Sequence, residues 1–500
     1  MLLIEKLSTY LELKLKNDFI LFVFVFIIFS ASLLTYNYAD PDLFARLATG
    51  KLINDLGYVS EADPFSFIEK KNIWVDHEWL SGVVFYKLYH YGGEKTLLLF
   101  RFFIDSLTIW FLIRAQSLKE SCKKISTNNR SFYRIFLLIP VIFSSGYVWG
   151  SPVRCQVFTY LFISVLLYAI QLLKFRNSWR YFVLMPLIFF TWANLHGGFA
   201  LGLILFFIAC IEIFLVKASK VSYLGTLFAL SALIPLINPY GFDYYIYILE
   251  ALRMQRPGIV EWEAVSIFAP EYLVLNILSL FLFLGVFLDY KENKKTDLFA
   301  LIWLVLTAYF AYSHKRFVAV FLFVLYVYGF PYFGHFFTYV FSPTKSPSSL
   351  ASSLLISAHT FLVLVFVSSI FFLLNNFSRY TQRLNYSSYP VMALDYLERA
   401  GKGGRLLVDF NLGSYALWRL YPRYLVSIDG RYEEVYPQSS VDLVAKAYSY
   451  NEYEHRESLQ KIQADYVLLP KVHWVNTKLS FWKDFREFYC DTKFCILDKK

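Results

Sequence analysis

The residues best suited to chemistry lie in one polar stretch, 37–81, which follows a strongly apolar run at 21–34. It opens on Asp40-Pro41-Asp42 and ends near His77-Glu78. A carboxylate in the opening pair could take a proton from a nucleophile or orient it. His77 and Glu78 could position an acceptor or, with Asp40, complete an oxygen-rich site for Mg²⁺ or Mn²⁺. Ionisable clusters at a membrane face are costly to keep without a use. A plainer account also fits: Asp40 is a good helix N-cap, Pro41 suits the first helical position, and Gly57 ends the helix. Asp76 could likewise cap a helix whose first residues are His77 and Glu78. Leu43, Phe44, Leu47, Ala48, Leu52 and Leu56 recur at spacings of three and four, which predicts a helix lying in the membrane interface. An Asp42 to Arg46 pair would steady that helix by only about 0.2–0.5 kcal/mol.

Three more polar junctions interrupt apolar sequence. His196 sits in Asn-Leu-His-Gly-Gly (194–198), as an acceptor-positioning group or as a hydrogen-bonded interfacial histidine beside close-packing glycines. The segment 238–270 opens on the turn signal Asn-Pro-Tyr-Gly and carries Glu261-Trp262-Glu263. Its tryptophan suits a headgroup-level anchor, yet anchoring does not require two flanking carboxylates. His314-Lys315-Arg316 is a basic cluster between two apolar runs. Arginine matches phosphate oxygens as a fork and lysine adds a point charge, so a lipid-linked phosphate or an ordinary phospholipid headgroup would compensate it.

The elements that must position these residues are mostly transmembrane. Of 500 residues, 57% are hydrophobic and 20% aromatic, and mean hydropathy is +0.46, which excludes an ordinary soluble protein. The net charge of +10 does not indicate nucleic acid, because lysines and arginines cluster in short links between apolar runs. Eleven spans are expected, at 19–36, 96–115, 132–149, 155–173, 180–195, 198–216, 222–237, 272–289, 298–313, 316–338 and 352–376. With a cytoplasmic N-terminus, the lysine- and arginine-rich links fall inside, and the polar junctions above share the outer face with the first loop, 37–95. Residues 79–91 are too short for a span and are read as re-entrant or interfacial. The first span is expected to stay attached, since no small-residue cleavage site follows it.

Residues 1–377 thus form a membrane domain, 378–388 a linker and 389–500 a small α/β layer outside. Helices are expected at 391–400, 414–420 and 440–463, strands at 405–410, 424–428 and 466–469, and a hairpin at 488–497. Cys490 and Cys495 in that hairpin are close enough to bridge in an oxidising compartment. Cys122, Cys155 and Cys210 suggest neither metal nor catalysis, and no CxxC, HExxH or P-loop pattern occurs.

The Asp-Pro opening, Arg46, the helix to Gly57, many spans and an outer α/β domain resemble the GT-C glycosyltransferases. The run 40–57 is similar to the Asp-Pro stretch of oligosaccharyltransferase catalytic subunits, and 74–93 with 97–107 to the protein-mannosyltransferase-like and rhizobial lipopolysaccharide-glycosyltransferase-like branches. A closer likeness is to a group of bacterial polytopic membrane proteins carrying DPD, DPFSF, WxxHEWLS, NxHGGF, INPYG, EW, DFNxGxY and IDGR patterns. Peptide N-glycosylation is not implied, because the Trp-Trp-Asp-Tyr-Gly motif is absent.

The resemblance implies transfer of a sugar from a polyprenyl-phosphate-linked donor to an envelope acceptor at the outer face of the cytoplasmic membrane. Asp40 or Asp42 would serve the acceptor, with His77, Glu78, Glu261, Glu263 and His196 positioning it or a metal. Lys315, Arg316, His314 and Arg46 would hold the donor phosphate. The alternative is a non-catalytic transporter or flippase for lipid-linked glycans, or a scaffold. A transporter favours ionisable residues near span midpoints, and Asp105 is the main candidate, unless it simply pairs with Arg101.

Overall fold

The computed structural model describes residues 17–35, 38–123, 130–149, 153–175, 180–216, 221–253, 259–294, 296–340, 348–376 and 388–500. All eleven expected apolar segments are helical. They are α1 (Asp18–Thr35), the second part of α3 (Trp79–Lys123), α4 (Arg130–Trp149), α5 (Gln156–Phe175), α6 (Tyr181–Leu195), α7 (Phe199–Val216), α8 (Val221–Leu233), α10 (Leu273–Asn293), α11 (Leu298–Ser313), the α12–α13 unit and α14 (Ser348–Asn375). The unit comprises α12 (Val318–Val324), a π-helical turn (Leu325–Gly329) and α13 (Phe330–Val340). Among the described residues five helices are long and apolar enough to cross a membrane, and six further apolar helices are shorter. The chain therefore has the build of an α-helical membrane protein.

Two shorter helices frame the functional face: α2 (Pro41–Leu56) in the first loop and α9 (Asp243–Arg253) in the loop after α8. The helix α2 starts and stops where expected, since the Asp40 side chain accepts the Asp42 N–H and Gly57 ends it at φ 78°. Its burial is wider than one apolar face. Every residue from Leu43 to Gly50 is buried, polar Arg46 and Thr49 included, because protein covers α2 on both sides. The segment 79–91 belongs to the first part of α3, which breaks at Gly93 (φ 65°) before the span. It crosses α2 where Gly50 meets Gly82: a Cβ on Gly50 would stand 2.0 Å from the Gly82 carbonyl oxygen. Gly50→Val is expected to abolish this crossing, and detergent-solubilised variant should elute as aggregate in size-exclusion chromatography while wild type elutes as a single species.

The C-terminal part carries a five-stranded sheet, order β2-β1-β3-β5-β4. Its strands are β1 (Gly404–Leu407), β2 (Tyr424–Val426), β3 (Tyr466–Pro470), β4 (Phe485–Cys490) and β5 (Phe494–Lys499). The first three pair in parallel, and the β4–β5 hairpin adds antiparallel, closed by a Cys490–Cys495 disulfide. Helices α15 (Val391–Ala400), α16 (Phe410–Leu420) and α17 (Tyr432–Val435) precede the expected long helix at 440–463. That stretch is two helices, α18 (Gln438–Ala447) and α19 (Glu452–Ile462). Asn451 accepts the Tyr453 N–H and caps the second, a local bond that competes with continuing the first. An unanticipated helix, α20 (Lys471–Phe481), follows β3.

The membrane-side loop and the C-terminal layer share one hydrophobic core. Phe44 of α2 packs edge-on against Tyr389 and Tyr415, at 5.3 and 4.8 Å between ring centroids. Residues 65–67 add a short parallel pairing to the free edge of β2, with Val426 N–H donating to Phe65 O at 3.0 Å and Phe67 N–H to Val426 O at 3.1 Å. Arg431 is wholly buried behind this pairing. It donates to Asp429 at 2.8 and 2.7 Å and to Asp63 at 2.7 Å, and lies over the Phe65 and Trp74 rings. The DPFSF and IDGR patterns are thus two halves of one joint.

Candidate functional site

The polar junctions gather at one end of the helical bundle around a cavity of about 370 Å³. Its walls come from α2 (Asp42, Ala45, Arg46), the start of α3 (His77, Glu78), the α4–α5 link (Arg154), the loop before α10 (Glu261, Trp262), the α11–α12 turn (Lys315, Arg316) and the C-terminal layer (Phe410, Tyr432, Glu433, Glu434). Local sequence places each of them. Asp40 begins α2, so Asp42 falls in its first turn and Arg46 one turn later on the same face. The Asn238 side chain accepts the Tyr240 N–H at 2.7 Å, and this turn aims the Tyr240 hydroxyl at the Asp76 N–H, 2.9 Å away. Asp76 in turn accepts the Glu78 N–H. The Trp79 indole donates to Asn194 at 2.9 Å, which ties the start of α3 to the end of α6.

One half of the site is acidic. Arg46, 4% exposed, is wrapped by Asp76 (2.5 Å), Glu434 (2.6 Å) and Glu78 (3.2 Å). Burial pushes Asp76 up to about 6 although Arg46 pulls it down. Burial would raise Glu434 too, but Arg46 and His77 outweigh it and hold that carboxyl at about 2. His77 Nδ1 lies 3.0 Å from Glu434 Oε1 and 3.1 Å from the Tyr247 hydroxyl. Behind Glu78 stands His196, whose Nε2 is 3.4 Å from Glu78 Oε1. Its Nδ1 accepts from the Gly198 N–H (2.9 Å) and faces the Thr159 hydroxyl (2.8 Å), which itself accepts from Trp192. Nε2 therefore carries the hydrogen, and burial holds this imidazole well below its ordinary range, that is neutral. A side chain at position 198 would collide with Thr159, so glycine is required there.

The other half is mixed in charge. Arg154 reaches Asp42, Asp40 (3.4 Å) and Glu261 (3.3 Å). Arg316 stacks 4.3 Å over Trp262 and lies 3.7 Å from Glu261, while Lys315 pairs with Glu263 at 2.8 Å. Asp40 is pushed up to about 6 by burial, with Arg154 pulling it down.

Of the residues singled out in the sequence, Asp42, Arg46, His77, Glu78, Glu261, Lys315 and Arg316 line the cavity. The others stand behind it: Asp40 as the α2 cap, His196 behind Glu78, Glu263 under Lys315, and His314 edge-on to Trp262 at 5.5 Å. Two expectations change. Asp42 turns to Arg154 instead of pairing with Arg46, and three carboxylates enclose Arg46 where a phosphate partner was expected. The possible divalent site of Asp40 with His77 and Glu78 has Asp40 facing Arg154 instead. His77, Glu78 and Glu434 bring ligand atoms within 4.8 Å of one another, but the Arg46 guanidinium already occupies both carboxylates, and its charge opposes a divalent ion at that point. Sequence reading passed over Arg154, although the expected parity puts its link outside, where an arginine breaks the positive-inside bias just as Arg316 does. It also missed Glu434, for which the IDGR pattern three residues earlier was the only signal.

Comparison with protein-family models finds no match, and comparison with curated proteins finds no similar one.

Proposed function

We propose that the protein is a membrane glycosyltransferase. In this reading it moves a sugar from a polyprenyl-phosphate-linked donor to an envelope acceptor at the outer face of the bacterial cytoplasmic membrane. Eleven spans would then cross that membrane, with the N-terminus cytoplasmic and the C-terminal layer outside. The supporting observation is a cavity at one end of an apolar helical bundle, where Arg154 and Arg316 face the carboxylates of Asp42 and Glu261, Lys315 pairs with Glu263, and a second, acidic half lies beside them. Sugar transfer from a lipid phosphate requires cations for the charge that develops on the departing phosphate and polar groups that orient hydroxyls. The arginine on Trp262 and its neighbouring lysine suit the first task, and Asp42 and Glu261 the second. The disulfide in the outer layer agrees with an oxidising compartment.

The transporter alternative gains little. Asp105, its main midpoint charge, is held by Arg101 at 2.6 Å on the same helix. The ion pair of Lys174 with Glu212 is likewise internal to the bundle.

The test compares lipid extracts from a deletion strain rescued by wild type or by Arg316→Ala at equal membrane levels. Mass spectrometry is expected to show a polyprenyl-phosphate sugar accumulating in the unrescued strain, with its envelope product lost. Arg316→Ala should turn donor over about 100-fold more slowly than wild type. Unchanged lipid-linked sugars and envelope glycans in the deletion strain would overturn the transferase reading.

A further inference from the structure

Two histidines and several carboxylates meet at the acidic half of the cavity, but only one ring nitrogen there is arranged to receive a proton. His196 uses its Nδ1 lone pair on Gly198 and Thr159 and points a hydrogen at Glu78, so it has nothing left to accept with. Asp40 caps α2, and both Asp40 and Asp42 are tied to Arg154. His77 differs. Its Nδ1 faces Glu434, a carboxylate that can only accept and is itself fixed by Arg46 at 2.6 Å, so Nδ1 carries the hydrogen. The lone pair is then on Nε2. That atom is 3.6 Å from Glu78 Oε1, beyond hydrogen-bond reach, on a ring that lines the cavity. The ring edge lies against Gly197, where even a Cβ would come within 3.0 Å of Cδ2. A carboxylate that orients an imidazole through Nδ1 and leaves Nε2 towards the reacting group is the arrangement of a general base.

Resting on the transferase reading, we propose that His77, oriented by Glu434 of the C-terminal layer, takes the proton from the acceptor, and that the acceptor nucleophile is a hydroxyl group of a lipid or sugar. The acceptor oxygen forms its bond to the anomeric carbon as the bond from that carbon to the donor phosphate breaks. The electron pair leaves with the polyprenyl phosphate, whose charge faces Arg316 and Lys315. The hydroxyl proton goes to His77 Nε2 and from there to solvent. An amide nitrogen, which has no basic lone pair, is not served by an imidazole base. Glu434 is a positioning residue in this scheme, and it makes the C-terminal layer part of the catalytic machinery.

The charged and titratable groups around His77 set the sign of its pH dependence. They are Asp76 and Glu78 on either side of it, Arg46 on α2, Glu434 on α17, Tyr244 and Tyr247 on α9, and His196 with ring centroids 6.4 Å apart. Burial lowers the His77 pKa, but Glu78 and Glu434 outweigh it and the imidazole rises above its ordinary 6.5. The base form is then present only above that raised value. Removing the Glu434 charge lowers it, so the acid limb of the rate profile moves to lower pH.

The experiment uses full-length protein in lipid nanodiscs with the total polyprenyl-phosphate fraction and glycolipids of the native membranes, donor consumption and product being followed by mass spectrometry. Wild-type turnover is expected to fall on the acid side with a midpoint above 6.5. His77→Gln should be slower by about 10²- to 10⁴-fold. In Glu434→Gln the residual activity should keep an acid limb, shifted to lower pH. The product should carry the sugar on oxygen. Wild-type turnover with His77→Gln undiminished, an acid limb that stays put in folded Glu434→Gln, or a sugar on nitrogen would overturn this inference and leave the transferase reading standing. If Glu434→Gln does not fold, the wild-type limb and His77→Gln decide alone. No turnover by wild type would overturn both.

Discussion

Arg46→Met is expected to destabilise the protein by about 3–5 kcal/mol, the usual cost of removing one partner from a buried ionic group. The guanidinium is the cation that contacts all of Asp76, Glu78 and Glu434, and those carboxylates belong to two different parts of the chain. Without it they repel one another, and α2 separates from the C-terminal layer. Arg46→Lys should recover only part of the loss, because one ammonium cannot address three carboxylates from a single plane. Thermal unfolding in detergent reads the effect, and its pH dependence gives a second check. In wild type Glu434 is held at about 2, below its ordinary 4.5, so its contribution is complete above 4.5 and is lost as pH falls towards about 2. Asp76, pushed up to about 6, works in the opposite sense over the window between 3.8 and about 6. In Arg46→Met the Glu434 carboxyl rises from that low value, so the loss of stability that wild type shows as pH falls from 4.5 towards about 2 should shrink in the variant. Parallel pH profiles for the two proteins would show that Arg46 does not govern these carboxylates.

Why part of this site could be read in advance and part could not follows from the range of each signal. Asp42, His77, Glu78, Glu261 and Arg316 stand at breaks between apolar runs, and the alternation of basic links assigns those breaks to one face. The helices followed from apolar length, and the five strands from short apolar runs between turn residues. What a helix packs against is not written in its own periodicity. The spacing in α2 predicts one apolar face, yet Arg46 and Thr49 are buried too, because Thr49 lies against Gly82 of α3 and Arg46 is enclosed by Asp76, Glu78 and, from the C-terminal layer, Glu434. Glu434 reaches Arg46 across 388 residues of chain, and no local pattern encodes that meeting. The same holds for Asp63 and Arg431, legible as motifs but not as partners. Arg154 is a different kind of omission: its link lies on the outer face by the same parity, and its charge was there to be noticed.

That arginine carries the largest expected effect on activity. Arg154 bridges Asp40, Asp42 and Glu261, so it fixes the first turn of α2 relative to the loop that bears Trp262 and, through Glu261, relative to Arg316. Arg154→Gln removes a cation from the side of the cavity proposed for the donor phosphate and at the same time leaves those carboxylates without their bridging guanidinium. Donor turnover is expected to fall by about 10²- to 10³-fold, the range for losing one preorganised charge contact in a water-poor site. Arg154→Lys should restore little, since a single ammonium cannot span the same carboxylates. The variant's pH dependence separates this role from simple damage. Burial already pushes Asp40 up to about 6, with Arg154 as the main force pulling it down. Without Arg154 the carboxyl rises further and is neutral over more of the working range. Because Asp40 caps the turn of α2 that carries Asp42, residual turnover of Arg154→Gln should climb with pH through neutrality into the alkaline region, where wild type is already level. A variant as slow as expected but with the wild-type profile would show that Arg154 acts on the donor alone and leaves Asp40 and Asp42 as they were.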